Sequence, residues 1–322
     1  MIPADRSPNG PARDDIVLPF QVGDTAVRGR VVRLAGAVDD ILRAHEFDDA
    51  VSELVGEAAA LVAAMGAALK FDGKLIFQIH ADDADAPASM AVADYQADGA
   101  LRATATTNAP AAEGARGLAA LVGEGRIVMT VDQGPDMERY QGVTPIEGDT
   151  LEAAAVAYFD RSEQIPTAVR LAVGRVERPG EPSRWRAGAV IAQHVPAEGG
   201  ARERGEAALK SEADREAWER AAALLATTQA DELLDPAVSP ETLLYRLFHE
   251  DGARVFDAKP VRAACSCNAT KIEAVLKRYA AEDLADMLED GAIRVTCEFC
   301  RRAYAFDATG TAIDARPRTD VK

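Results

Sequence analysis

The spacing of apolar positions along residues 15–200 predicts a domain of mixed strands and helices. In "KLIFQIHA" the apolar residues Leu75, Phe77 and Ile79 alternate with other side chains, which is the period of a strand. Residues 51–69 instead carry apolar side chains three and four positions apart, which is typical of one face of a helix. Because the chain shows no strict strand–helix–strand repeat, we expect a mixed α/β (α+β) core domain over residues 15–200.

Turn and capping residues mark further boundaries in this region. Asp98–Gly99 lies between two strand-like segments and predicts a hairpin turn. Asp149 is followed three residues later by Glu152, which is the spacing of a capping box and predicts that a helix is capped by Asp149. Residues 1–14 are rich in Pro, Gly, Asp and Arg, so we expect them to form a disordered tail.

The composition changes after Pro196, where 12 of the 24 residues in 197–220 are charged. Further along, Ser239 is a predicted N-cap and Pro240 the first residue of the helix that follows it. We therefore expect a helical linker over residues 201–262. Two interpretations stay open: a solvated connector, or a marginally stable segment that packs and unpacks, as switching regions do.

All four cysteines lie near the C-terminus, as a C-x-C pair and a C-x-x-C pair: Cys265, Cys267, Cys297 and Cys300. Two short cysteine pairs joined by a spacer are typical of a structural zinc site, in which four thiolates surround the metal. The segment 263–322 is short and has few apolar anchors, so a metal would stabilise its fold. We expect one zinc ion on these cysteines. The histidines are scattered and are expected to be ordinary residues: His45, His80, His194 and His249.

The cysteine pattern leaves the role of the metal open. A zinc ribbon that only stabilises its own fold is one interpretation. The other is a redox switch, because the cysteines of each pair are close enough for a local disulfide and because thiolates are the form that oxidants attack. A switch would lose its metal, and with it its fold, on oxidation.

Charge and motifs argue against several other functions. The net charge of −17 opposes binding to nucleic acid or anionic membranes, both of which are bound through Lys and Arg. A thiol–disulfide oxidoreductase using Cys297 and Cys300 would place the C-x-x-C at the start of a helix, whereas strand-like segments flank it here. No Walker loop, dinucleotide fingerprint or nucleophile elbow is present, so we expect no enzyme. No apolar h-region opens the chain and no apolar run is long enough to span a bilayer, so we expect a cytoplasmic protein.

Several segments resemble a known family. "CSCN" with "CEFC", "LKFDG" at 69–73, "YQGVTPIEGDTLEAAAVAYFDRSEQIPT" at 140–167 and "LLYRLFHED" at 243–251 are similar to the 33 kDa chaperonin family of redox-regulated heat-shock holdases. The resemblance runs from about residue 15 to about residue 307.

The resemblance implies an ATP-independent chaperone that is switched by oxidation. It implies a reduced, zinc-bound, monomeric form that is inactive, and an oxidant such as peroxide with heat, or hypochlorous acid. Oxidation would form the disulfides Cys265–Cys267 and Cys297–Cys300. Zinc would then leave, the zinc domain and linker would unfold, and a homodimer would bind unfolding client proteins. The alternatives are a zinc-ribbon adaptor with purely structural zinc and the oxidoreductase.

Overall fold

A computed structural model of the chain describes residues 14–69, 72–134, 137–177, 180–195 and 211–313. The chain forms two compact units, divided between Ala263 and Ala264. Residues 1–13 of the predicted tail lie outside the described residues, whereas Asp14 accepts a hydrogen bond from Arg186 at 3.0 Å. None of the described helices is both long and apolar enough to cross a membrane.

The first sheet of the larger unit is antiparallel, with strand order β10-β1-β2-β9-β8 and β11 also paired with β1. Its longest strands are β8 and β9. The bounds are β1 Ile16–Val22, β2 Val27–Leu34, β8 Thr167–Val176, β9 Arg184–His194, β10 Ala253–Val255 and β11 Lys259–Pro260.

The second sheet has strand order β12-β5-β4-β3-β6-β7, with β12 parallel to β5 and the other pairs antiparallel. The predicted hairpin joins β4 to β5. Gly99 has a φ of 87° at its turn, and Asp98 accepts a hydrogen bond from the Ala100 amide at 3.1 Å. The bounds are β3 Lys74–Ala81, β4 Ala88–Gln96, β5 Ala100–Thr107, β6 Gly125–Asp132, β7 Tyr140–Pro145 and β12 Arg262–Ala263.

The core of the larger unit is built around helix α2, Asp49–Gly66, which packs against strands of both sheets. The predicted helix is confirmed, and its alanine-rich face is buried as well as its aliphatic face. Two glycines allow α2 to lie close to the strands of the two sheets. A Cβ on Gly56 would lie 2.8 Å from Val173 of β8, and one on Gly66 would lie 2.4 Å from Tyr95 of β4. The other helices before residue 200 are α1 Gly36–Arg43, α3 Gly117–Leu121 and α4 Leu151–Tyr158, the last continued by a π-helical turn at Phe159–Glu163.

The predicted cap of α4 was wrong by one residue. Thr150, not Asp149, is the N-cap, and its hydroxyl accepts from the Ala153 amide at 3.2 Å. Glu152 does not reach back to the cap. Its carboxylate instead accepts from the Leu171 amide at 2.6 Å and so ties α4 to β8.

Within the predicted linker, the described residues form helices and then short strands. Helices α5 Glu212–Ala226, α6 Ala230–Leu234 and α7 Pro240–Phe248 pack on one face of the first sheet. Ser239 caps α7 and Pro240 begins it, as predicted. The strands β10, β11 and β12 were not predicted, because two or three residues carry no periodicity and their partners are distant in sequence.

One buried arginine joins the first sheet to these helices. Arg33 on β2 is 1% exposed, and its guanidinium donates to the carbonyls of Val238 at 2.6 Å and Asp235 at 2.5 Å. These carbonyls follow the C-terminus of α6, where helix carbonyls lack partners and a cation is favoured. Burial lowers the pKa of Arg33 to about 10, so the guanidinium stays protonated at neutral pH.

The smaller unit contains two helices and an antiparallel sheet of order β13-β14-β15-β16. The predicted strands on either side of the C-x-x-C are confirmed as β14 and β15. Gly291 lies in the turn between β13 and β14, with a φ of 80°. The bounds are α8 Ala269–Leu276, α9 Ala281–Asp286, β13 Leu288–Glu289, β14 Ala292–Thr296, β15 Ala303–Phe306 and β16 Ala312–Ile313.

Replacing Arg33 with Met is expected to lower the free energy of unfolding of the larger unit by about 3 kcal/mol, because buried carbonyls lose a charged donor. Urea denaturation followed by tryptophan fluorescence measures this, since Trp185 and Trp218 both lie in that unit. Arg28→Met is the matched control: it is exposed on the same strand and should cost less than about 0.5 kcal/mol. Equal losses in both variants would contradict the role given to Arg33.

Candidate metal centre

Two loops of the smaller unit carry the cysteines. Cys265 and Cys267 lie in an extended segment before α8, whose N-cap Asn268 accepts from the Lys271 amide at 2.8 Å. The Lys271 ammonium also donates to the Ser266 carbonyl at 2.7 Å, so α8 fixes the C-x-C backbone.

The second pair occupies the turn between β14 and β15. The Cys297 amide donates to the Arg302 carbonyl at 2.9 Å, and the Arg301 amide donates to the Cys297 carbonyl at 2.8 Å. Arg301 adopts a φ of 56°, which closes the turn. The turn therefore directs the sulfurs of Cys297 and Cys300 to the same side.

The four sulfur atoms lie within 4.8 Å of one another. The Sγ atoms of Cys265 and Cys297 are 3.7 Å apart, and those of Cys267 and Cys300 are 3.4 Å apart. Four sulfurs at about 2.3 Å from a tetrahedral zinc ion would be about 3.8 Å from one another. The donor set and its spacing therefore fit a four-coordinate thiolate metal site. Each of these two short contacts joins one local pair to the other.

Thiols this close disturb one another's ionisation. Burial raises the pKa of Cys267, but hydrogen bonds with Tyr304 and with the other cysteines outweigh it and lower the pKa to about 7. Burial, together with the hydrogen bonds to Cys267 and Cys297, raises the pKa of Cys300 to about 12. A negative charge on one sulfur thus opposes charge on its neighbours. A cation is needed to hold all four as thiolates near neutral pH.

Two residues beside the cluster were missed from the sequence. The Tyr304 hydroxyl lies 3.1 Å from the Cys267 Sγ, and the side chain of Arg302 hydrogen-bonds Tyr304, which raises the pKa of Arg302. The only signal in the sequence is their position: both residues closely follow Cys300, in a segment that is predicted to be a strand. The four histidines lie in the larger unit and are not in the cluster.

The apolar core of the smaller unit is slight. Its buried residues are Leu276, Leu284, Ile293 and Phe306. A core of this size supplies little of the free energy needed to order about 50 residues. The fold of this unit is therefore expected to depend on a ligand at the cysteines.

Known proteins resemble the chain over nearly its whole length. The sequence model of the Hsp33 protein family matches residues 15–307. A 33 kDa chaperonin of Caulobacter vibrioides is 45% identical over 313 residues, which are 95% of this chain and 99% of the relative. A 33 kDa chaperonin of Azotobacter vinelandii is 33% identical over 302 residues, which are 92% of this chain and 93% of the relative.

This chain belongs to the Hsp33 family. The family resemblance stated from the sequence is therefore confirmed. Hsp33 proteins are chaperones rather than enzymes, so the expectation of a non-enzymatic protein is confirmed as well.

A solved structure extends the family assignment to the fold. The crystal structure of the 33 kDa chaperonin (Hsp33 homologue) of Thermotoga maritima matches with a TM-score of 0.74 at 20% identity, covering 91% of this chain and 95% of that one. At this identity the likeness concerns the fold alone. It confirms the predicted α/β (α+β) fold class, which here includes four clustered cysteines in the C-terminal region.

Removing the metal with a chelator under reducing conditions is expected to unfold the smaller unit and leave the larger unit folded. The reason is that the four-residue core cannot hold the thiolate loops together alone. Hydrogen exchange of the amides in β14 and β15, compared with those in α2, measures the effect. Protection should return when zinc is added back. Protection of β14 and β15 that persists after chelation would show that the unit needs no metal.

Proposed function

We propose that this Hsp33 protein is a redox-regulated, ATP-independent holdase whose sensor is the four-cysteine cluster. The observation that carries the proposal is the placement of all four sulfurs within 4.8 Å of one another in a small unit of its own. A purely structural zinc ribbon would share this geometry. The family assignment favours the chaperone, and the local pairing of the cysteines favours the switch.

In the reduced state the ligands are the thiolates of Cys265, Cys267, Cys297 and Cys300. A bound zinc ion would supply the positive charge that keeps them together and the free energy that folds the unit. The chaperone in this state is inactive and monomeric. Its surface is that of a folded, strongly acidic protein of the cytoplasm, without affinity for nucleic acid or membranes.

Oxidation joins the local pairs, Cys265 to Cys267 and Cys297 to Cys300. To form each disulfide, two thiolates lose two electrons in all and cease to be ligands; one peroxide molecule accepts those electrons and, with two protons from solvent, becomes two water molecules. Local pairing is favoured once the cluster loosens, because a one- or two-residue loop keeps its sulfurs near each other when the rest of the unit unfolds. Loss of the ligands removes the metal and the fold of the smaller unit.

The clients are unfolding proteins, and the surface proposed for them is the sheet face under α5 and α7. Phe20 and Phe248 pack there with ring centroids 5.7 Å apart, and both side chains are almost fully buried. The chain leaves β12 at Ala263 and reaches Cys265 two residues later. Unfolding that begins at the cysteines is thus proposed to spread to the linker and uncover an apolar face. The active form is a homodimer.

The direct test is light scattering from a heat-unfolding client, with reduced or peroxide-treated protein present. Suppression of scattering is expected only after oxidation, together with loss of four free thiols and of the metal. Peptide mapping should recover Cys265–Cys267 and Cys297–Cys300. Cross-links between the pairs, such as Cys267 to Cys300, would contradict the local pairing, and unchanged scattering would contradict the chaperone switch.

Phe248→Ala is expected to make the reduced, zinc-loaded protein suppress client aggregation without an oxidant. The substitution deletes a fully buried ring that holds α7 on the sheet, at a cost of about 3–5 kcal/mol. Light scattering and the amide exchange of α7 are measured together.

The matched control for Phe248→Ala is Tyr245→Ala, which truncates an aromatic residue that is 61% exposed on the same helix. It should leave the reduced protein inactive. If α7 exchanges freely in Phe248→Ala and clients still aggregate, the covered sheet face is not the client surface.

A further inference from the structure

The hydroxyl of Tyr304 contacts one of the four sulfurs. Its oxygen lies 3.1 Å from the Cys267 Sγ, within the range of a hydrogen bond to sulfur. The ring is fixed from two sides: β15 pairs Tyr304 with Val295 of β14, and the half-buried ring packs against the small core of the unit. The contact is therefore built into the fold of the sheet that carries the C-x-x-C turn.

The neighbours of the hydroxyl decide which atom donates. The neighbouring Arg302 guanidinium has donors only, so it can only donate to the tyrosine oxygen and leaves the tyrosine O–H available to the sulfur. A metal-bound cysteine is a thiolate and has no hydrogen to give. The tyrosine O–H therefore donates to the sulfur of Cys267.

A hydrogen bond to a thiolate draws electron density from the sulfur. Sulfur that holds its electrons more tightly is a weaker nucleophile toward an oxidant. Groups of this kind around a metal also orient the ligand, and their loss typically changes affinity or activity by about 10–100-fold.

We propose that Tyr304 is a positioning residue for the redox step: its hydroxyl holds the Cys267 thiolate and slows its reaction with peroxide. The oxidant concentration at which the cluster opens is thereby raised. This inference rests on the proposed thiolate metal site and adds the residue that sets its sensitivity.

The step that Tyr304 slows is the attack of the Cys267 sulfur on peroxide. The sulfur bonds to one peroxide oxygen, the O–O bond breaks, and the other oxygen leaves as hydroxide, giving a sulfenic acid at Cys267. The Cys265 thiolate then attacks that sulfur, forms the S–S bond and expels a second hydroxide. Two protons from solvent convert both hydroxides to water, so two electrons pass from the cysteine pair to one peroxide.

The test is Tyr304→Phe, which removes the hydroxyl and keeps the ring. With zinc-loaded, reduced protein, the rate of metal release by peroxide, followed with a chromophoric chelator, is expected to rise about tenfold. Alkylation followed by mass spectrometry should show the gain at Cys267, with the other three cysteines as internal references. Tyr279→Phe is the matched control, since Tyr279 lies in the same unit and is 48% exposed; its rates should stay within about twofold of the parent.

A second measurement distinguishes loss of the hydrogen bond to sulfur from a merely structural effect of the substitution. In the cobalt-substituted protein, the sulfur-to-metal charge-transfer band should shift in Tyr304→Phe and not in Tyr279→Phe, because only the first loses a hydrogen bond to a ligand sulfur. Equal acceleration at all four cysteines without a band shift would overturn the proposal, as would unchanged rates.

These readouts also separate this inference from the proposed chaperone function. If Tyr304→Phe speeds release of the metal but the oxidised parent never suppresses client aggregation, the holdase fails and the role of Tyr304 stands. If the parent is a redox-activated holdase and Tyr304→Phe behaves like the parent, only the role of Tyr304 fails.

Discussion

Charge repulsion among four sulfurs is the constraint on which the smaller unit depends. Sulfur atoms within 4.8 Å of one another can all be thiolates only if a cation lies among them. The apolar core cluster among the described residues of this unit has four buried members, so the unit has little else to hold it. We therefore expect its fold and the oxidation state of its cysteines to be coupled, because a reaction that removes thiolates would also remove much of the free energy of folding.

The larger unit contains two separate apolar clusters. Helix α2 lies against both sheets and forms a core that involves no residue of the linker helices. The helices α5 and α7 pack in a second, separate cluster on the first sheet, with Arg33 bonded to the turn between α6 and α7. Because the two clusters are distinct, loss of the second would expose apolar surface on a platform that the first still supports.

Elements with a long periodic pattern could be predicted from the sequence, and elements fixed by distant partners could not. Helix α2, the hairpin at Asp98–Gly99 and the cap of α7 at Ser239 follow from local signals. The strands β10 to β12 are too short to carry such a signal, and their pairing with β1 and β5 decides them. Clustering of the cysteines was predictable because each pair is local. The contact of Tyr304 with Cys267 was not, since it depends on how the chain folds over the 36 residues between them.

In the mechanism proposed for this chain, the helices over the first sheet are docked while the cysteines hold metal and are released when the cysteines are oxidised. Amide hydrogen exchange of α5 and α7, before and after peroxide treatment at elevated temperature, measures this release. Protected amides are expected in the reduced, zinc-loaded protein and loss of that protection on oxidation, with α2 protected throughout. Helices already unprotected in the reduced form, or still protected after both disulfides have formed, would contradict it.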